Sequence, residues 1–522
     1  MLGHSKQLPF KLLGFGALIL LAFQYLLEYF GASAFSDAGC FMAIGQRLLQ
    51  HDLLYVDVWD NKAPGIFFIH ALAQGISSNV NIDYPQWVTL GLLCISLSII
   101  LIKFKWKTSS LLWFLTSLVL SFHWLKTWEV FYVGAYTEEW GIFLVIASLA
   151  LILNSKNNLF YFASGITFGC AIFIKEPFLF FILPFWGYWL LQQKTSFKSI
   201  LYWHFSVAIP WGSFMAIYVF KGHSSALWMY WKSAYAYAGG EIESWQKVSE
   251  RLSKLHELTS TKWFGGESVQ WIFTTLCLYL IIRVIWGGYR KMKYQEFFSN
   301  LPIVSLGWSA LVASLLFFIL GPRFYFHYAI PFGFSVIFCF CVALWDFCTI
   351  IRIPYNQAFG FVILSLFVAK NFGSEIHSEV VTQPNRGNAG IEAHMIQQKI
   401  TAGSTVFVDH EDGGRWYVYG QLSSWGKFPV PYYVYFYNPE DNHQPHLVAN
   451  RDKFREDFLN SPPTFILTKS LTDSAQVFRF TQLVKNVDEN YQCIDSLYSH
   501  PSVVNQVEAV QLYILKRKHE VL

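Results

Sequence analysis

Long apolar runs, separated by short polar loops, fill the first 370 residues of the chain. They lie near 12–29, 86–102, 109–127, 139–154, 159–174, 178–192, 200–220, 267–287, 302–320, 326–346 and 355–370. Runs of roughly 17–22 residues are the length a helix needs to cross about 30 Å of hydrocarbon. Inside hydrocarbon, only helices or a closed barrel satisfy every backbone group. The pattern therefore predicts a polytopic α-helical membrane protein with about eleven spans. The first run is long and has no small-residue cleavage site after it, so it reads as a retained span rather than a signal peptide. One further run, 64–78 (PGIFFIHALAQGISS), is too short to span and suits an interfacial or re-entrant helix.

The basic residues test that threading. With 64–78 on the surface, the loops at 103–108, 155–158, 193–199, 288–300 and 347–354 share one side. They hold Lys103, Lys105, Lys107, Lys156, Lys194, Lys198, Arg290, Lys291, Lys293 and Arg352 against Glu296. The positive-inside rule makes that side cytoplasmic. Threading 64–78 through the membrane would turn the next several basic loops outward. Three larger pieces then face outside, at about 30–85, 221–266 and 371–522. The last is a break in composition. Strand-like STVFVD, PPTFILTK and AVQLYILKRK alternate with helix-like DKFREDFL and SAQVFRFTQLVKN, which predicts a small soluble α/β domain. The division expected is a membrane domain over 1–370 and this α/β domain over 371–522. The chain has no internal repeat, which weighs against transporter folds with duplicated halves.

Composition agrees with the patterning. The chain is 54% hydrophobic and 14% charged, against about 25% charged in soluble domains. Its net charge of +4, without a dense Lys/Arg cluster, argues against nucleic acid as a partner. The cysteines sit mostly in apolar segments and show no metal-binding spacing.

The candidate chemistry gathers on the outer side. Asp37 precedes a helix over about 38–51, with Phe41, Ile44, Leu48 and Leu49 on one face, as in a helix lying along the interface. Asp37 is either an N-cap or a functional acid. In YVDVWDNKAPG, Asp57, Asp60 and Lys62 come just before Pro64, which suits a first helical turn. Lys62 can hold a lipid phosphate or snorkel to headgroups. Glu138 and Glu139 stand at the mouth of the fourth span. Two adjacent carboxylates there are costly unless partnered, although Thr137 as a cap and the helix dipole also account for them. Lys175 and Glu176 occupy a tight turn between spans. GPRFYFHYAIP brings Arg323, His327 and Tyr328, where the Arg fork suits phosphate and the set also fits an interfacial anchor. Together, Asp37, Asp60, Lys62, Glu138, Glu139, Lys175, Arg323 and His327 converge on one face, forming a site for a phosphorylated lipid and a polar acceptor.

An aspartate after the first span, a surface helix, a Lys-Pro-type motif opening a second surface helix and an acid in the second outer loop resemble the C-type (GT-C) membrane glycosyltransferases. The nearest resemblance is to the bacterial branch related to protein O-mannosyltransferases and the lipid A aminoarabinose transferase. It covers about 10–370 and is strongest in 31–80, 134–142, 170–178 and 321–331. It implies a GT-C-like fold in the inner (plasma) membrane, with the site and the α/β domain on the periplasmic, outer face. It implies Asp37 as catalytic base, Lys62 and Arg323 at the phosphate of a polyprenyl-phosphate sugar donor, and Glu138 or Glu139 as the second-loop acid. Where the family often has a second acid after the aspartate, Ala38 and Gly39 stand here. The acid-Lys-Pro motif reads Asn61-Lys62-Ala63-Pro64, with the acid displaced to Asp60.

The implied reaction is a single inverting displacement onto an acceptor hydroxyl of a protein, lipid or glycan. Glu138 and Glu139 would orient the acceptor or hold a divalent metal ion that assists phosphate departure. Asp60, Lys175, His327 and Tyr328 are expected to bind substrate. The loop 221–266, with Ile242, Trp245, Val248, Leu252 and Leu255 on one helical stripe, is either a lid or a static interfacial helix pair. A transporter or flippase of a lipid-linked or anionic substrate is the alternative, and it would place its charges at mid-membrane.

Overall fold

The computed structural model describes residues 37–76, 137–153, 157–191, 195–237, 249–253, 279, 281, 301–320, 328, 330–336, 338–339, 343, 396–401, 404–409, 416–417, 422–428, 445–468, 483–499 and 510–518. The runs expected to span near 12–29, 86–102, 109–127 and 355–370, and most of 267–287, lie outside these residues.

Helices α1 (Asp37–Leu49) and α2 (Gly65–Ile76) pack on each other. The apolar body comprises α3 (Thr137–Leu153), α4 (Asn158–Ile174), a 3-10 helix (Glu176–Phe181) that leads into α5 (Ile182–Leu191), α6 (Phe197–Val207), α7 (Ile209–Phe220), α8 (Ser224–Tyr237) and α9 (Leu301–Leu320). Local sequence sets several of the ends. Asn157 caps α4 by accepting from Leu159 N at 3.0 Å. Ser196 caps α6 by accepting from Ser199 N at 3.1 Å. Each satisfies a backbone donor that has no partner within its helix.

The central helix is α4, which packs against α2, α3, α6 and α7. Gly165 and Gly169, one turn apart, permit that approach. A Cβ at Gly165 would lie 2.4 Å from Trp203 O, and one at Gly169 would lie 2.4 Å from Val207 O. Small residues at this spacing let helix backbones come close. Buried hydroxyls bridge the same helices: Ser148 Oγ donates to Ser164 O at 2.8 Å, and Trp203 Nε1 donates to Ser164 Oγ at 3.0 Å.

The run 200–220, expected as one span, is two helices bent by 42°. Pro210 sits in the first turn of α7. It lacks the N–H that would bond the carbonyl four residues back, which breaks the helix at Ala208. By length and composition this bent pair is able to cross a membrane. Among the described residues no single helix is long and apolar enough to do so; the described apolar stretch of α9 is Ser305–Ile319.

The α/β domain contains a mixed sheet of order β2-β1-β3-β5-β4. Its strands are β1 (Thr405–Asp409), β2 (Ser423–Ser424), β3 (Phe465–Thr468), β4 (Tyr491–Ser499) and β5 (Val510–Arg517). β1 runs parallel to β2 and β3, while β5 is antiparallel to β3 and β4. The helices are α10 (Pro445–Asn460) and α11 (Val484–Asn490). β1, β3 and β5 fall on the strand-like segments read from the sequence, and α10 contains DKFREDFL.

This domain is seated on α1 and the loop that follows it. Phe407, Trp425, Phe428 and Phe454 share one apolar cluster with Phe41, Tyr55 and Trp59. Ala43 belongs to the core that contains Val406, Trp416 and Ile514. Residues 39–45 of α1 are accordingly all buried. The helix expected to lie along the interface, with one apolar face, is enclosed between α2 and the α/β domain. Its small and apolar residues Cys40, Met42 and Ala43 fill the second face.

Candidate functional site

Two polar clusters meet at the turn that joins α4 to the 3-10 helix. Lys175 ends α4 in an extended conformation (φ −159°, ψ 118°), with its N–H bonded to Ala171 O at 3.0 Å. Pro177 follows in the first turn of the next element, where its missing N–H has no cost. Across this junction the two charged neighbours find different partners.

Lys175 Nζ forms an ion pair with Glu138 Oε1, lies 3.5 Å from Thr137 Oγ1, and stands 3.8 Å from the centre of the Tyr328 ring. Glu138, Glu139 and Thr137 are all buried at the start of α3. The Thr137 hydroxyl, expected to cap the helix, donates instead to Glu138 Oε2 at 2.9 Å. A buried carboxylate is tolerated only with such partners. Gly141, one turn further along, lets the Phe178 ring lie on the helix surface: a Cβ there would fall 1.9 Å from Phe178 Cε2.

Glu176 turns to the other cluster, where its Oε1 accepts a hydrogen bond from the Tyr230 hydroxyl of α8. Tyr230 stacks on Tyr55, with ring centres 4.4 Å apart and planes at 22°. The Tyr55 hydroxyl donates to Lys62 O at 2.6 Å. Tyr55 holds a positive φ of 64°, as does His51 at 74°. Such a conformation costs a β-carbon residue about 1–3 kcal/mol and persists only when its surroundings over-determine it. They do so here: Tyr55 N donates to Val58 O at 2.6 Å, and the ring is flanked by Trp59, Phe214 and Tyr230. Burial raises the hydroxyls of Tyr55 and Tyr230 well above the usual tyrosine range, with the nearby Glu176 charge adding to the effect. Both therefore remain proton donors. Burial also lifts the Glu176 carboxyl above its ordinary range, against the lowering effect of the Tyr230 hydrogen bond.

Asp60 is fully buried, and its Oδ1 accepts from Lys62 N at 2.8 Å, which folds 60–62 into a turn. Lys62 Nζ lies 4.9 Å from the centre of the Phe41 ring. Gly65, at the start of α2, ties this loop to the Lys175 turn. A Cβ there would lie 2.7 Å from Phe173 O and 2.9 Å from Ile174 N.

The expected residues are thus placed unevenly. Glu138, Lys175 and Tyr328 come together, with Glu139 beside them in sequence on α3, and Asp60 and Lys62 share the neighbouring loop. Asp37 is the first residue of α1, and its side chain is outside the description, as are Arg323 and His327. Among the described residues no group of three or more His, Cys, Asp or Glu side chains is placed to hold a metal ion. Glu138 is paired with an ammonium instead.

Comparison with known proteins finds no matching family model and no matching curated protein. Among solved structures, the crystal structure of ArnT from Cupriavidus metallidurans in the apo state is similar over 96% of this chain and 98% of that chain. The TM-score is 0.43 and the identity 10%.

Residues that the sequence reading passed over complete the arrangement. Arg47 reaches from α1 to the α/β domain, pairing with Asp52 and donating to Gly426 O at 2.9 Å and Ser424 Oγ at 3.2 Å. Trp59 N donates to Lys427 O at 2.9 Å, while Lys427 Nζ stands over the Trp59 ring. Tyr55 and Tyr230 are the others, and Glu176, which the sequence shows only as half of a charged turn, joins them. A signal for Glu176 was available, since an acid between two apolar segments needs a partner.

Proposed function

We propose that this chain is an integral membrane glycosyltransferase. In this reading it moves a sugar from a polyprenyl-phosphate donor to an acceptor hydroxyl on the outer face of the inner membrane. The observation that carries the reading is the ion pair of buried Glu138 with part-buried Lys175, at the ends of apolar helices and beside the loop bearing Lys62. Acids and cations held this way, with aromatic rings around them, suit a phosphate at one end and a hydroxylated acceptor at the other. Membrane residence is supported by the outward Leu190, Phe197, Leu201, Phe205 and Phe220 on α5, α6 and α7, which would form an unfavourable patch in water.

In the proposed reaction the acceptor oxygen attacks the anomeric carbon as the bond to the lipid phosphate breaks, inverting the centre. Lys62 and Arg323 bind the phosphate and stabilise the charge it gains on leaving, a preorganised electrostatic effect. Asp37 takes the proton from the attacking hydroxyl, an effect of about 10²–10⁴-fold. Glu138 and Glu139 orient the acceptor. The pairing of Glu138 with Lys175 favours this role over holding a divalent ion. His327, Tyr328, Lys175 and Asp60 complete the substrate surround.

The test is transfer from radiolabelled polyprenyl-phosphate sugars to membrane acceptors by purified wild type and Asp37→Asn. Transfer by wild type alone, with both proteins folded, supports the base assignment. Equal transfer by both removes Asp37 from the chemistry. If the wild type neither turns over nor binds polyprenyl phosphate, the transferase reading falls in favour of a transporter or flippase.

A further inference from the structure

We infer that Tyr230 and Glu176 are positioning residues: through Tyr55 they hold the loop that carries Lys62 in register with the turn that carries Lys175.

The continuity of contacts carries the inference. Glu176 accepts from Tyr230, Tyr230 stacks on Tyr55, and Tyr55 bonds the carbonyl of Lys62 itself. The column therefore begins one residue from Lys175 and ends on Lys62. It crosses from the α4 turn through α8 to the first outer loop. Both tyrosines are fully buried, and hydroxyls excluded from water are expensive to leave without a partner. Tyr55 also occupies a left-handed conformation at 64°, held by its N–H to Val58 O and by the rings packed around it. The ring is turned toward Tyr230, and stacking there stabilises the conformation that points the hydroxyl at Lys62 O.

Phe214 and Tyr218 of α7 brace the other side of the loop, Phe214 against the Tyr55 ring and Tyr218 through Leu54 O. The Tyr230 arm reaches the Lys175 turn through the Glu176 side chain, beside the close backbone packing of Gly65 on Phe173 and Ile174. Residues 224–237 thus act as a fixed strut. Leu227, Tyr230 and Ser233 are buried along it, an anchoring that suits the static alternative to a lid for this part of the 221–266 segment.

The consequence for sugar-donor binding rests on the transferase reading, whereas the effect on the loop does not. Two measurements on purified full-length protein separate them. In Tyr230→Phe, which keeps the ring and removes the hydroxyl, hydrogen–deuterium exchange over 53–63 should quicken while α9 is unchanged. Polyprenyl-phosphate binding should weaken about 10-fold, the scale of one hydrogen bond to a charged acceptor. Glu176→Gln keeps an accepting oxygen and should retain most of the binding; Glu176→Leu should match Tyr230→Phe. Unchanged exchange over 53–63 in both Tyr230→Phe and Glu176→Leu overturns the inference. So does wild-type affinity in those variants. Faster exchange in a protein whose wild type binds no polyprenyl phosphate upholds the strut and removes the transferase reading.

Discussion

Gly65→Ala isolates the contact that sets the Lys62 loop against the Lys175 turn. The added Cβ would meet Phe173 O at 2.7 Å, Phe173 C at 2.8 Å and Ile174 N at 2.9 Å. Comfortable contact begins at about 3.5 Å, so the shortfall is roughly 0.8 Å. All three atoms are backbone of α4, which is held by neighbours on several sides and cannot turn aside as a side chain could. The start of α2 must move instead, at an overpacking cost of about 1–3 kcal/mol. Replacing glycine in a helix returns at most about 1 kcal/mol, so the net effect is a loss of up to about 2 kcal/mol. A displacement of this size three residues from Lys62 should reduce turnover by about 10²-fold, the usual penalty for a misplacement near 1 Å. Thermal unfolding and transfer from a polyprenyl-phosphate sugar read the two effects. Gly212→Ala is the control, because a Cβ there meets nothing within 4 Å; it should be neutral or stabilising by about 0.5–1 kcal/mol. If Gly65→Ala behaves like Gly212→Ala in both assays, the close approach is not what registers the loop.

Burial raises the Glu176 carboxyl, so its protonated form is favoured by folding, and the associated stability is complete below the ordinary carboxylate range. That stability is lost as pH rises through the elevated value; the Tm of wild type relative to Glu176→Gln should fall over this window and level off above it. His70 behaves in the opposite sense. It is fully buried, neither ring nitrogen has a hydrogen-bond partner among the described residues, and burial pushes its pKa down to about 3. The unfolded chain takes up the proton first, near 6.5, so wild type should lose stability relative to His70→Leu as pH falls from about 6.5 towards 3. Parallel denaturation curves at pH 7 and pH 5 would refute this. Arg47→Ala should cost about 1.5–3 kcal/mol, the worth of charge-assisted hydrogen bonds, and should expose 422–428 to limited proteolysis.

Much of the fold was legible because it depends on local periodicity and end signals. Asp37 and Pro64 marked the starts of α1 and α2 closely, and β1, β3 and β5 stood out as β-branched and aromatic runs. The break at Ala208 was missed although Pro210 was in view, because uninterrupted apolarity outweighed one proline in the reading. β4 was missed because YQCIDSLYS alternates polar and apolar residues only weakly. The grouping of Glu138 with Lys175 was foreseen only as placement on a shared face. The pair itself, with partners 37 residues apart, has no local signature. Tyr230 was one aromatic among many in a segment rich in them, and its significance comes from Glu176, 54 residues earlier. Enclosure of α1 likewise depends on the α/β domain, which no pattern within α1 announces.

The clasp between Arg47 and Ser424 joins positions 377 residues apart in the chain. At a synthesis rate of about 5–20 residues per second, α1 waits roughly 20–75 seconds for the segment that encloses it. During that interval Phe41, Ile44 and Trp59 lack part of their final cover, and the loop holding Lys62 lacks its roof. The segment 37–65 is therefore among the earliest parts of this chain to be made and among the last to reach its final shape. A chain cut short before 424 lacks the α/β-domain partners of Arg47 and the cover over Trp59, although its apolar helices are already made.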